Sequence, residues 1–268
     1  MSANWMETLD RRLHLTATAN PVALAAAVPP SATKVGSVRA TPAQTVAMIA
    51  PSPVVQIPDA SLRAAILQAL HRSGGQITAA DMLSLTSLVA MHYHDPAHEI
   101  TSLTGLEYAK NLTCLNLNGN HITDLGPLRG LVKLNSLHLY ENLISDVSPL
   151  RELTRMQHLD LGLNHARDIS ALSGMTRMVA LNVHDSQVVD LSPLSGMTAL
   201  RKLNARSCGL TSLDGLEQMT RLKSLDVRFN QLNIESGSTA MRAIVALEQR
   251  GTQVSYSPQA NRAGPTPL

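Results

Sequence analysis

The sequence predicts an α/β right-handed solenoid. It should carry a curved parallel β-sheet on its concave side, short 3-10 turns on its convex side and helical caps at both ends. Three observations lead there. An asparagine-like position recurs every 22 residues, at Asn120, Asn142, Asn164, Ser186, Cys208 and Asn230, and two apolar columns keep the same beat, Leu115 to Leu225 and Leu112 to Leu222. A fixed period of this length marks coils that bury their apolar faces only against their neighbours. The 44% of hydrophobic residues include only 2% aromatics, which suits narrow coils of Leu, Ile, Val, Ala and Met better than a globule with bulky layers. Finally, the period breaks into helical patterns on both flanks, as capping units require.

Residues 1–55 lack helical or strand periodicity, and their Pro/Ala/Ser/Thr composition predicts a tail or linker. Arg11-Arg12 would serve as the charged region of an export signal, although Asn20-Pro21 interrupts the apolar segment behind it. Residues 56–111 are expected to form a helical N-terminal cap and a first, irregular repeat. Asp59 is a good N-cap, Leu62, Ile66, Leu67 and Leu70 follow at helical spacing, and Gly74-Gly75 is the expected stop. Thr78-Ala-Ala-Asp81 is a capping box opening a second, brief helix. The first repeat carries about five extra residues, since Leu88 to Ile100 spans twelve positions where Leu115 to Ile122 spans seven.

Residues 112–233 hold the regular repeats, as in Leu112-Thr-Cys-Leu115-Asn-Leu117-Asn-Gly-Asn120-His-Ile122. The alternation around Leu115 and Leu117 gives one short strand per repeat. Where the chain leaves that strand its backbone groups lose their ladder partners, and a buried amide side chain in every coil can pair with them. Ser186 and Cys208 should weaken that ladder locally. The other half-coil reads Asp146-Val-Ser-Pro-Leu150 or a close variant. There Ser is the expected cap and Pro the first residue of a turn too short for an α-helix. Residues 234–259 should cap the C-terminal end: Ser238-Thr-Ala-Met241-Arg-Ala-Ile244-Val-Ala-Leu247 is an amphipathic helix, Gly251 stops it, and Val254-Ser-Tyr256 adds a closing strand. Residues 260–268 form a short tail. Cys114 and Cys208 lie four repeats apart, hence roughly 19 Å at strand spacing, beyond the ~6 Å Cα separation of a disulfide.

These repeats resemble leucine-rich repeats of the internalin type, a short-repeat class similar to that of eukaryotic phosphatase regulators. The resemblance covers residues 57 to about 259, and the lid from Ile57-Pro-Asp-Ala-Ser-Leu62 to Leu103-Thr-Gly-Leu106 is similar to lids of bacterial repeat proteins. Met6-Glu-Thr-Leu-Asp-Arg-Arg-Leu-His-Leu15 resembles a Leu-Glu-x-Arg-x-Leu-Leu stretch near the start of many exported proteins of planctomycete-like bacteria. The resemblance implies a bacterial binding module, secreted or at the cell surface; the alternative is a cytoplasmic regulatory subunit docking on an enzyme such as a phosphatase.

On such a fold the ligand face is the concave sheet. The position between the two strand leucines, taken as exposed, runs Asn116, His138, Asp160, Asn182, Asn204, Asp226, and two residues on it runs Asn118, Tyr140, Gly162, His184, Arg206, Arg228. The expected ligand-binding set is therefore His138, Tyr140, His158, Asp160, His184 and Asp185 at the centre, with Lys202, Arg206, Asp226, Arg228 and Phe229 forming a basic end. Adjacent Arg206 and Arg228 repel unless Asp226 or a ligand anion compensates.

Two histidine clusters supply ligand types suited to zinc: His138, His158 and His184 around Asp160, and His92, His94, His98 and Glu99 with His121. Nothing in the sequence fixes their geometry, so no metal and no cofactor is expected. Phosphate loops, nucleophile elbows and His-Glu-x-x-His stretches are missing, which argues against an enzyme. A net charge of +2 and scarce aromatics argue against nucleic acid, and no apolar run is long enough to span a bilayer. The expected partner is a protein or peptide, with a glycan behind it, bound by a monomer.

Overall fold

A computed structural model describes residues 52–92 and 98–259. The expected N-terminal tail up to residue 51, residues 93–97 of the insertion and the 260–268 tail lie outside the described residues.

Eight three-residue strands form one sheet in sequence order, every pair parallel. They are β1 (Ser87–Val89), β2 (Cys114–Asn116), β3 (Ser136–His138), β4 (His158–Asp160), β5 (Ala180–Asn182), β6 (Lys202–Asn204), β7 (Ser224–Asp226) and β8 (Gln253–Ser255). The register aligns Leu88, Leu115, Leu137, Leu159, Leu181, Leu203, Leu225 and Val254. This is the solenoid that the period predicts, of the kind the leucine-rich repeat resemblance implies. One core runs through all coils, and the leucine of each of the seven strands before β8 is at most 2% exposed. Burying each is worth about 1.5–3 kcal/mol before chain entropy is charged against it.

The asparagine column is the second element of cohesion. Asn142 Oδ1 accepts the Ile122 N–H at 3.1 Å, while Nδ2 donates to the Leu117 and Leu139 carbonyls at 3.0 and 3.1 Å. Asn120, Asn164 and Asn230 repeat the pattern. The two substituted rungs are weaker. Cys208 Sγ reaches the Val183 carbonyl, replacing half of an amide, while Ser186 Oγ donates to the Val183 carbonyl of its own coil, accepts the Val188 N–H and otherwise meets only Cys208 Sγ at 3.6 Å.

On the opposite side, 3-10 turns occupy Leu106–Tyr108, Gly126–Leu128, Ser148–Leu150, Ser170–Leu172 and Ser192–Leu194. The expected serine cap is corrected: the serine is the turn's first residue, no side chain caps the turn from the N-cap position, and the aspartate two residues before the serine holds it instead. Asp146 Oδ1 accepts the Ser148 N–H at 2.8 Å and its Oδ2 accepts the Ser148 hydroxyl at 3.0 Å, a pair repeated at Asp168 and Asp190. Those bonds hold the Asp146 and Asp168 carboxyls below the usual carboxylate range.

At the N-terminal end, helix α1 (Ala60–Ala69) starts on Asp59, whose Oδ1 accepts the Leu62 N–H. Its other oxygen accepts the Thr101 and Ser102 N–H groups, tying the helix to the far side of the insertion. The helix ends before the expected Gly74-Gly75, because His71 itself turns left-handed with φ 56°. Helix α2 (Ala79–Ser84) opens with the reciprocal Thr78–Asp81 capping box. Ser52 and Val54, inside the segment expected as linker, join this lid: Val54 bridges to Thr78, and Ser52 Oγ accepts the Ala80 N–H. Gly105 has to be glycine, since it sits at φ 102° and a Cβ there would lie 2.7 Å from Ile57. At the other end, Ser238 caps helix α3 (Thr239–Gln249), Gly251 at φ 83° follows it, and β8 covers the last coil.

Candidate functional site

Which side chains the sheet presents is decided by how they treat the backbone two residues ahead. The column taken as exposed is mostly closed off: Asn116, His138, Asp160 and Asn182 are buried, and only Asn204 and Asp226 are partly open. The reason is a second ladder. Oδ1 of Asn116, Asp160, Asn182, Asn204 and Asp226 each accepts the N–H of the residue two positions later, at 3.0–3.3 Å. Each side chain therefore folds forward along its own strand and satisfies a donor that has left the sheet. His138 breaks this ladder. Its Nε2 lies 2.9 Å from Ser136 Oγ, and the Tyr140 N–H turns instead to Asn118 Oδ1 at 2.8 Å.

The central cluster is organised around a gap. Gly162 leaves room for the His184 ring, which a Cβ there would crowd: Cδ2 lies 2.9 Å and Nε2 3.0 Å from the position it would take. From there the ring faces Tyr140, at 5.6 Å between centroids, while its Nδ1 meets Asp185 Oδ2 at 2.7 Å. Beneath it Asp160 accepts from Asn182 Nδ2 at 2.9 Å. Burial pushes the Asp160 carboxyl up to about 6, against the hydrogen bonds from Gly162 and Asn182 and the charge of His184. Burial and the nearby carboxylates Glu141, Asp160 and Asp185 raise the Tyr140 phenol. His158 lies two residues before Asp160 on β4, where burial, then the Lys202 charge, lower its pKa.

At the basic end Arg228 is held by Asp226. Nε lies 3.0 Å from Oδ1 and 3.2 Å from Oδ2, and Nη2 lies 2.6 Å from Oδ2. The expected Arg206–Arg228 repulsion is thus answered within the chain. Arg206 takes a different course: its guanidinium carbon sits 4.7 Å over the Phe229 ring, and its Nε is buried without a hydrogen-bond partner. The structure therefore divides the expected set into a centre of Tyr140, Asp160, His184 and Asp185, and an end of Arg206, Asp226, Arg228 and Phe229. His138 is drawn down onto Ser136, and Lys202 lies between centre and end.

Two features went unread in the sequence: a left-handed rim and an apolar N-terminal extension of the face. Glu141, Leu163, Asp185, Ser207 and Phe229 all have φ between 50° and 57°. Each directs its N–H to a carbonyl of the next coil, as Leu163 does to His184 at 2.9 Å. That conformation places Asp185 and Phe229 at the rim. Val89 and Met91 extend the face at its N-terminal end, 43% and 47% exposed. Their signal was available: they stand one and three positions after Leu88, as His138 and Tyr140 do after Leu137.

Among the described residues no three His, Cys, Asp or Glu side chains converge as metal ligands. In the insertion, His92 and His98 stack at 6.4 Å and His121 Nδ1 meets Glu99 at 2.7 Å, while His94 lies outside the described residues. No helix among the described residues is long and apolar enough to cross a membrane.

Residues 110–152 match the family model for leucine rich repeats in two copies. Among solved structures, the chain is similar to an internalin (InlF) from Listeria monocytogenes, with 33% identity and a TM-score of 0.67 over 78% of this chain and 58% of that one. It is also similar to an internalin C2 (InlC2) of the same organism, with 27% identity and a TM-score of 0.55 over 75% of this chain and 94% of that one. A comparison with curated proteins gave no match.

Proposed function

Because this chain is an internalin-like leucine-rich repeat protein, we propose that it is a non-catalytic module that binds a protein or peptide across its sheet face, outside the cell or at its surface. One observation carries the choice of face. The sheet's small polar side chains are spent on the backbone, while Val89, Met91 and Phe229 remain exposed and Tyr140 half-buried along the same surface. A face serving only solubility would show the reverse. Tyrosine and arginine are also the residue types that dominate binding energy at interfaces, and Arg206 is already flattened against Phe229. Export is supported by the resemblance at residues 6–15.

The test is capture with cross-linking by the full chain, comparing wild type with Tyr140→Ala/Phe229→Ala. We expect a specific protein or peptide that the double variant retains at least tenfold less well, with circular dichroism unchanged. Equal capture by both would remove the sheet face from the proposal. Cell fractionation with mass measurement of the N-terminus tests the location: an uncleaved chain confined to the cytosol would favour the docking-subunit alternative.

A further inference from the structure

The near-neutral net charge conceals a division between the two halves of each coil. In the half-coil that leaves the sheet stand Asp124, Asp146, Asp168 and Asp190, each engaged with a turn N–H. The half-coil that returns to the sheet is basic. Lys133, Arg155, Arg177 and Arg221 hold one position, three residues before β3, β4, β5 and β7, with Ala199 in that place before β6. Beside them Arg201 and Lys223 precede β6 and β7 directly and stack in register: the Lys223 N–H donates to the Arg201 carbonyl at 2.8 Å. All six are exposed, and none joins an ion pair among the described residues. Lys133 reaches only the neutral Asn111 oxygen at 2.7 Å. By contrast, Arg129 and Arg151 act on the carboxylates of Asp146 and Asp168. Coil spacing of about 4.8 Å makes the row about 19 Å long from Lys133 to Lys223.

We propose that this basic edge, separate from the sheet face, is a docking surface for a linear sulfated polysaccharide. Cations repeating along one line at about one coil spacing match a polymer whose anionic groups also repeat along a line. Four of the six are arginines, whose planar fork suits the paired oxygens of an oxyanion. Exposed hydroxyls of Thr154, Thr176 and Thr220 adjoin Arg155, Arg177 and Arg221, within reach of sugar hydroxyls. The row contains no aromatic residue, so it offers no stacking platform for the bases of a single strand. It is a strip no more than two side chains wide, which engages a planar lipid surface poorly. The chain's own N-terminal segment is not complementary either, since Glu7 and Asp10 there are outnumbered by Arg11, Arg12, Lys34 and Arg39.

The test uses the full chain with three probes of matched concentration: a heparin-derived decasaccharide, a single-stranded DNA 12-mer and phosphatidylserine vesicles. We expect the decasaccharide to bind tightest and to lose at least tenfold in affinity between about 50 and 200 mM salt through counterion release. Arg155→Glu/Arg177→Glu should weaken it at least tenfold. Arg63→Glu/Arg242→Glu, an equal charge change off the row, should leave it within about twofold. Equal losses in both variants would reduce the effect to net charge and overturn the assignment of the edge. Tighter binding of DNA or vesicles would overturn the choice of polysaccharide, and no binding of any probe would overturn the surface altogether.

Discussion

Replacing Ser186 by asparagine should make the protein more stable, because it restores the rung whose absence is visible in the hydrogen bonds. In the regular coils the asparagine accepts the N–H twenty residues back and donates to the carbonyl twenty-five back, as Asn164 does with Ile144 at 2.9 Å and Leu139 at 2.8 Å. The corresponding groups for position 186 are the Ala166 N–H and the Leu161 carbonyl. Both residues are 0% exposed, and Ser186 reaches neither among the described bonds. A neutral hydrogen bond contributes about 1 kcal/mol net, and relieving a buried unpaired group contributes about 1–3 kcal/mol. After the entropy of fixing a longer side chain, the expected gain is about 1–3 kcal/mol. At about 2–4 °C per kcal/mol for a domain of this size, thermal unfolding should move up by roughly 2–12 °C. Urea titration followed by circular dichroism gives the same quantity as a shifted midpoint at unchanged slope. Cys208→Asn, which would give the Val188 N–H a closer acceptor than Ser186 Oγ at 3.5 Å, should add to it. An unchanged or lowered midpoint in Ser186→Asn with native dichroism would show that the column carries less of the stability than its geometry implies.

Three further outcomes follow from the sheet face. Asp160→Asn should stabilise the chain at pH 7.5. The native carboxyl is raised to about 6, above its unfolded value, so the unfolded state binds fewer protons between pH 6 and 4. Native Asp160 therefore destabilises above about pH 6, by up to about 3 kcal/mol, and this penalty fades as pH falls toward 4; urea midpoints of wild type and variant should converge at pH 4, and a constant offset would refute the account. Gly162→Ala should cost about 1–3 kcal/mol in urea unfolding by pushing the His184 ring off Tyr140, and wild-type stability would mean that the ring has somewhere else to go. Leu163→Gly should raise the stability by up to about 1 kcal/mol, read as a higher urea midpoint, by relieving a left-handed leucine at φ 51°, whereas a lower midpoint would show that the exposed side chain contributes more than its backbone costs.

What the sequence made legible follows the period of the coil. Leu115 through Leu225 and the asparagine column could be placed because every coil repeats the same environment at the same spacing, so position alone implies burial. The sheet face does not share that property. Whether Asp160 is open depends on whether His184 can lie over Gly162, a relation between residues 22 apart whose identities change in every coil. The left-handed rim was hidden for a related reason. Glycine marks it once, at Gly119, while Glu141, Leu163, Asp185, Ser207 and Phe229 are driven into it by the carbonyl of the next coil rather than by their own preference. His71 ends α1 three residues before the glycines for want of any local signal. Charge behaves in the same way: +2 for the whole chain says nothing about Lys133, Arg155 and Arg177 sharing one edge while the aspartates share the other. In a solenoid, then, the repeat determines which positions are interior. What each face presents has to be worked out coil against coil, because the residues that matter there are the ones that depart from the repeat.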